Sequence, residues 1–175
     1  MILYPTETTY GLGVNPFDEV ELGKLYEVKG RNRSKAVSWL VRSVDDIERY
    51  AQLSPLARRI ADRHLPGPLT IVLPTLDGDE LRAFRISSDP AAQQLIEQFM
   101  AEHDVPLTCT SANLSGQPTL ATPQQIMQQL SANVGAIDRV IDDGPRGAQP
   151  STVVKVTDDK LEILRQGSTE LASDI

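Results

Sequence analysis

The apolar positions of this chain keep changing rhythm. Short apolar runs and period-two stretches predict strands at 1–4, 36–41, 69–73, 81–86, 107–110, 139–141, 152–156 and 161–164. Between them, apolar residues recurring every three or four positions predict helices at 20–28, 44–50, 55–64, 91–102 and 123–130. The joints are short and turn-rich, with no low-complexity tract, internal repeat or linker, so the pattern predicts one compact α/β domain over 1–175. Only 74–80 separates two of the strands, too short for a parallel crossover, and Asp158-Asp159 joins the last two as a hairpin. The sheet is therefore expected to be mixed and twisted, not a regular doubly wound array. Pro66-Gly67-Pro68 reads as a rigid structural entry to the next strand, and Trp39 as a core or pocket-wall residue in preference to a base-stacking one.

Length and composition narrow the classes. A chain of 175 residues buries roughly two thirds of its unfolded surface and needs no metal or disulfide staple. A single cysteine, Cys109, excludes an internal disulfide, and two separated histidines, His64 and His103, make no metal motif. With no long apolar span and no signal-peptide pattern, a cytoplasmic protein without a membrane partner is expected. The net charge of -7 argues against a general nucleic-acid binder. Yet residues 24–42 carry Lys24, Lys29, Arg31, Arg33, Lys35 and Arg42 against the single Glu27. Helix-end cations complement a dipole, which accounts for Lys24 and Lys29 but not for the rest. The run reads as a local anion site.

Three loops carry the candidate chemistry. Residues 5–13, Pro-Thr-Glu-Thr-Thr-Tyr-Gly-Leu-Gly, pack four side-chain acceptors and two glycines after the first strand, without the residues of a phosphate-binding Walker loop or a dinucleotide fingerprint. Gly11 and Gly13 are expected to let this loop turn tightly against a polar ligand. In Lys29-Gly30-Arg31, Gly30 ends a helix and the cations suit a phosphate, Arg31 as a planar fork and Lys29 and Lys35 as point charges. Residues 108–116 leave a buried strand with Ser111, Asn113 and Gly116 in a polar loop, where ligands of α/β sheets commonly sit. The same Ser-Ala-Asn tripeptide recurs at 131–133, read there as an ordinary joint. Further on, residues 142–147, Asp-Asp-Gly-Pro-Arg-Gly, lead to Ser151 and Thr152, and Arg165 closes the last strand. Cys109 has no histidine neighbour and reads as a small core or backbone-contact residue. No nucleophile, paired-carboxylate or metal motif is visible. A set of Arg, Lys, Ser, Thr and Asn suits nucleotidyl transfer, with magnesium carried by the nucleotide phosphates.

The blocks YPTETTYGLG, KGRNRSK, LPGPLTIVL, TSANLSGQPT, DDGPRGAQPSTVV and LRQGS follow in that order along essentially the whole chain. In this they resemble the YrdC/TsaC-type threonylcarbamoyl-AMP synthases. The resemblance implies a YrdC-like, DHBP-synthase-like α/β fold with a twisted mixed sheet, flanking helices and a large concave cavity. It implies a reaction of L-threonine, bicarbonate or CO2, and ATP that yields threonylcarbamoyl-AMP and pyrophosphate, for N6-threonylcarbamoyladenosine modification of tRNA. Thr8, Arg85, the Cys109 backbone and Ser151 would hold threonine. Lys29, Arg31, Lys35, Ser111, Asn113, Thr119 and Arg165 would face ATP, with Lys29 and Arg31 as the catalytic pair.

The resemblance also implies a single-domain type that passes its unstable product to a threonylcarbamoyl transferase, with weak tRNA contact left open. This chain departs from the family pattern by opening almost directly on the first block, by Asn32 in place of a common proline, and by Leu40 where many relatives have histidine. Two other readings stay open: a YciO-like paralogue with different chemistry, and an RNA-binding module, against which the charge of -7 counts.

Overall fold

The computed structural model describes residues 1–130, 135–147 and 149–171, so the second Ser-Ala-Asn tripeptide, at 131–133, lies outside the described residues. The strands, in chain order, are β1 (Ile2–Tyr4), β2 (Gly11–Gly13), β3 (Ser38–Leu40), β4 (Leu69–Pro74), β5 (Leu81–Arg85), β6 (Leu107–Ser111), β7 (Arg139–Val140), β8 (Thr152–Thr157) and β9 (Lys160–Arg165). The helices are α1 (Glu19–Lys29), α2 (Val44–Glu48), α3 (Pro55–His64), α4 (Pro90–His103) and α5 (Pro123–Gln129). The strands form one 9-stranded sheet in the order β7-β1-β2-β6-β3-β5-β4-β8-β9. It is mixed, as expected: β1 and β7, β3 and β5, and β4 and β8 run parallel, and the remaining neighbours antiparallel. Asp158 and Asp159 both adopt left-handed backbone, φ 51 and 54, which is what a two-residue hairpin turn between twisted strands needs.

Local chemistry explains the helix ends. Asp18 caps α1 by accepting from the amides of Val20 and Glu21, and Gly30, at φ 55, closes it in the left-handed conformation that glycine adopts without steric cost. Ser54, Asp89 and Thr122 cap α3, α4 and α5, each followed by a proline that fits the first helical turn.

One strand was not expected. Gly11–Gly13 is a sheet-interior strand between β1 and β6, not a turn approaching a ligand. Its glycines answer a packing demand: a Cβ on Gly13 would lie 2.6 Å from the Leu107 side chain, and one on Gly11 would lie 3.0 Å from the Tyr4 ring. Glycine here admits an aromatic ring and a leucine against the backbone.

Side-chain alternation splits the sheet into two faces. On one, Leu3 and Leu12 meet α1 and α5, while Trp39, Ile71, Phe84 and Val154 meet α2 and α3. Trp39 is buried there against Phe17, Tyr50 and Phe84, with the Arg82 guanidinium over its ring, as a core residue. On the other face, α4 packs on Tyr4, Leu40, Leu107, Cys109 and the partly buried Ile2. The rest of that face, over β5, β4 and β8, is left open, and this opening becomes a cavity.

Candidate active site

The cavity measures about 420 Å³. Its floor is the sheet face that α4 leaves uncovered, with Ser38, Ala83, Arg85, Thr70 and Val153, and with Cys109 shared between the cavity and the α4 cluster. Thr8, Arg31, Ser111, Thr119, Ser151 and Arg165 complete its wall. Separate stretches of chain from Thr8 to Arg165 thus meet around one space, many of them at strand ends where loops diverge. Three of its lining residues are arginines and none is a carboxylate, so the cavity suits an anionic ligand.

Arg85 is the buried cation of the group, at 6% exposure. Its Nη2 donates to Glu7 Oε1 at 2.6 Å and to Thr8 Oγ1 at 3.2 Å, and Ser87 Oγ donates to the second oxygen of Glu7. Among the described residues, Nε has no partner and Nη1 touches only the Cys109 sulfur, at 3.9 Å. The surroundings of Cys109 are therefore not wholly apolar: a guanidinium from β5 reaches across to it. Thr8 is itself fixed by a local turn, in which Thr6 Oγ1 lies 3.0 Å from Thr8 Oγ1 and accepts from the amides of Thr8 and Thr9.

Arg165 lies at the rim. Much of its length stays in solvent, but Nε and Nη2 donate to the Ser151 carbonyl at 3.2 and 2.8 Å, and Nη2 also to Ser151 Oγ at 3.2 Å. Partial burial of its head, and then the charge on Arg85, lower its pKa. Arg31 is set just past the α1 cap, where Nε and Nη2 donate to the carbonyls of Lys35 and Ala36 at 3.1 and 2.8 Å. The side chain is folded onto its own loop and held at the cavity wall.

Not every expected residue lines the cavity. Asn113 spends its amide on the loop itself, donating to the carbonyls of Leu114 and Gln117 at 3.0 and 2.6 Å and accepting from Ser111 Oγ at 2.6 Å. Lys35 is exposed beside the cavity, and among the described residues only its backbone is engaged: the carbonyl accepts from Tyr26 and Arg31, and the amide donates to the Asn32 carbonyl at 3.0 Å. Lys29 is buried, and its ammonium donates to the carbonyls of Ser111 and, at 2.9 Å, of Asn113. Arg146 turns away into ion pairs with Asp89 and Asp143 at 2.9 and 2.6 Å. Conversely, Glu7, Ser38 and Thr70 join the site's framework without having been singled out. Glu7 was visible only as one acceptor of its loop, and Thr70 only as a hydroxyl inside the apolar run Leu-Thr-Ile-Val-Leu. Among the described residues no group of three or more His, Cys, Asp or Glu could hold a metal, and no helix is long and apolar enough to cross a membrane.

A family model named Sua5_yciO_yrdC, described as "Telomere recombination", matches residues 1–167. The chain belongs to the Sua5/YciO/YrdC family. A relative from Methanocaldococcus jannaschii is 36% identical over 174 residues, covering 95% of this chain and 79% of the relative. The threonylcarbamoyl-AMP synthase of Vibrio cholerae is 33% identical over 179 residues, covering 95% of this chain and 90% of that protein. Pyrococcus abyssi Sua5, solved in complex with L-threonine, superposes with a TM-score of 0.83 at 32% identity, and this chain spans 50% of its length. Escherichia coli YciO also superposes with a TM-score of 0.83, at 24% identity over 97% of this chain, which speaks to the fold alone.

Lys29 in this Sua5/YciO/YrdC domain has a measurable signature. Burial, and then the charge of Arg31, lower its pKa to about 8. The unfolded chain holds the same proton to about pH 10.4. The cost of burying the charge is therefore fully present below pH 8 and is relieved as pH rises from about 8 to 10.4, because the unfolded state then binds more protons. Lys29→Met lacks this proton. Denaturant midpoints from pH 7 to 10 should show the parent protein gaining on the variant by on the order of 2 kcal/mol. A constant difference across that window would mean that the two carbonyls keep the ammonium charged.

Proposed function

We propose that this chain is an L-threonylcarbamoyladenylate synthase, a nucleotidyltransferase acting on L-threonine, bicarbonate or CO2, and ATP. The observation that carries the reading is a single cavity lined by three arginines and many hydroxyls, with no carboxylate in its wall. Threonine carbamate is its own nucleophile. Its carbamate oxygen attacks the α-phosphorus of ATP, the bond from that phosphorus to the β-phosphate oxygen breaks, and pyrophosphate leaves. Two anions must be held together against their repulsion, which fixed cations accomplish without a protein nucleophile.

In this reading Arg85 takes the threonine carboxylate, with Thr8, the Cys109 backbone and Ser151 around it. Arg31, Lys35, Ser111, Thr119 and Arg165 face the nucleotide. Asn113 and Lys29 act from behind, keeping the Ser111 loop in place. Magnesium arrives on the ATP phosphates, which fits a wall without carboxylates. The product serves N6-threonylcarbamoyladenosine formation in tRNA through a separate transferase.

The deciding experiment is pyrophosphate release by the purified protein, with threonine and bicarbonate omitted in turn. Release is expected only when both are present. Equal release without threonine would overturn the reading and favour a YciO-like relative with different chemistry.

A further inference from the structure

Thr70 has no part in the assignments above. It lies in β4 at 5% exposure, flanked by Leu69, Ile71 and Val72, and it lines the cavity. Its Oγ1 lies 2.9 Å from Ser151 Oγ, and this is its only side-chain hydrogen bond among the described residues. Ser151, also at 5% exposure, accepts from Arg165 Nη2 on the same Oγ at 3.2 Å. A serine hydroxyl has one proton and two lone pairs. One lone pair receives Arg165, and the bond to Thr70 engages either the proton or the other lone pair. A single remaining function is then offered to the cavity, in a fixed direction. Arg165 grips Ser151 from the rim and Thr70 grips it from the floor.

The geometry points to Thr70 as a positioning residue for the amino-acid end of the cavity. Its hydroxyl holds Ser151 Oγ in the orientation that a β-hydroxy α-amino acid can pair with. This rests on the reading that Ser151 faces threonine. The hydroxyl matters and the side-chain volume does not: valine keeps the β-branched shape and suits the strand, but it leaves Ser151 free to rotate and its polar atom short of a partner.

The test is steady-state pyrophosphate release with threonine and ATP varied separately. Wild type is measured first, and it should saturate with threonine. Thr70→Val should raise the threonine KM about tenfold or more, with the ATP KM and kcat within about threefold of wild type. Thr70→Ser should restore the threonine KM. In a Ser151→Ala background, Thr70→Val should add less than about twofold, because the group it positions is gone. Should Thr70→Val fail to fold, Thr70→Ala carries the same comparisons. An unchanged threonine KM, an equal rise in both KM values, or full additivity with Ser151→Ala would overturn the inference alone. A wild type indifferent to threonine would instead sink the synthase reading on which it is built.

Discussion

Replacing Arg85 with methionine is expected to cost the fold about 3–5 kcal/mol and to abolish threonine binding at the same time. The two losses have different origins. The Glu7 carboxylate, little exposed at its side chain, accepts from Arg85 Nη2 at 2.6 Å. Removing the guanidinium strands that carboxylate in a poorly solvated place, and an uncompensated buried charge costs far more than the pair contributed. Threonine binding goes because the cavity loses its one buried cation. A second substitution separates the effects. Glu7→Gln in the Arg85→Met background removes the stranded charge, so it should recover most of the lost stability and none of the threonine affinity. Chemical denaturation and calorimetry with L-threonine read the two quantities independently. If Arg85→Met unfolds within about 1 kcal/mol of wild type, Glu7 is solvated well enough to stand alone.

What the sequence made legible follows from the range over which each feature is determined. The α1 stop at Gly30 and the β8–β9 turn are set by neighbours in the chain, and both stand where local rules put them. The antiparallel β4–β5 pair follows from a joint too short to cross over. Gly11–Gly13 was illegible as a strand because glycine has poor strand propensity and its reason for being there lies elsewhere, in Tyr4 and in Leu107 on another strand.

The same distinction governs the site. That residues 24–42 form a cationic run and that Ser111 leaves a buried strand could be read directly. The division of labour among the cations could not. Lys29 and Arg31 stand two residues apart, yet one is buried on the carbonyls of residues 82 and 84 positions away, while the other faces the cavity. Arg85 is marked as a threonine-binding residue by the family resemblance alone; its neighbours in the sequence show only one more charge in a strand. Only the sheet order, which sets β3 between β5 and β6, shows that its guanidinium must reach over a neighbouring strand to meet Cys109.

Arg31→Ala is expected to lower kcat by about a hundred- to a thousandfold while leaving the fold nearly untouched. The size follows from the loss of a preorganised donor aimed at developing charge, typically about 2.7–4 kcal/mol. Arg31 meets the requirement for preorganisation. Gly30 fixes where the loop turns, and the carbonyls of Lys35 and Ala36 hold two of the guanidinium nitrogens, so the side chain does not have to be ordered when ATP arrives. The small effect on stability follows from its position: it is only half-buried, no carboxylate pairs with it among the described residues, and the carbonyls it leaves behind can meet water. Arg31→Lys should recover little, since an ammonium restores the charge but not the planar fork that spans two phosphate oxygens. Single-turnover pyrophosphate release at saturating ATP, alongside denaturant midpoints, decides it. A folded Arg31→Ala protein with a near-normal rate would reduce the cationic run to a solvated surface and shift the phosphate site to Arg165.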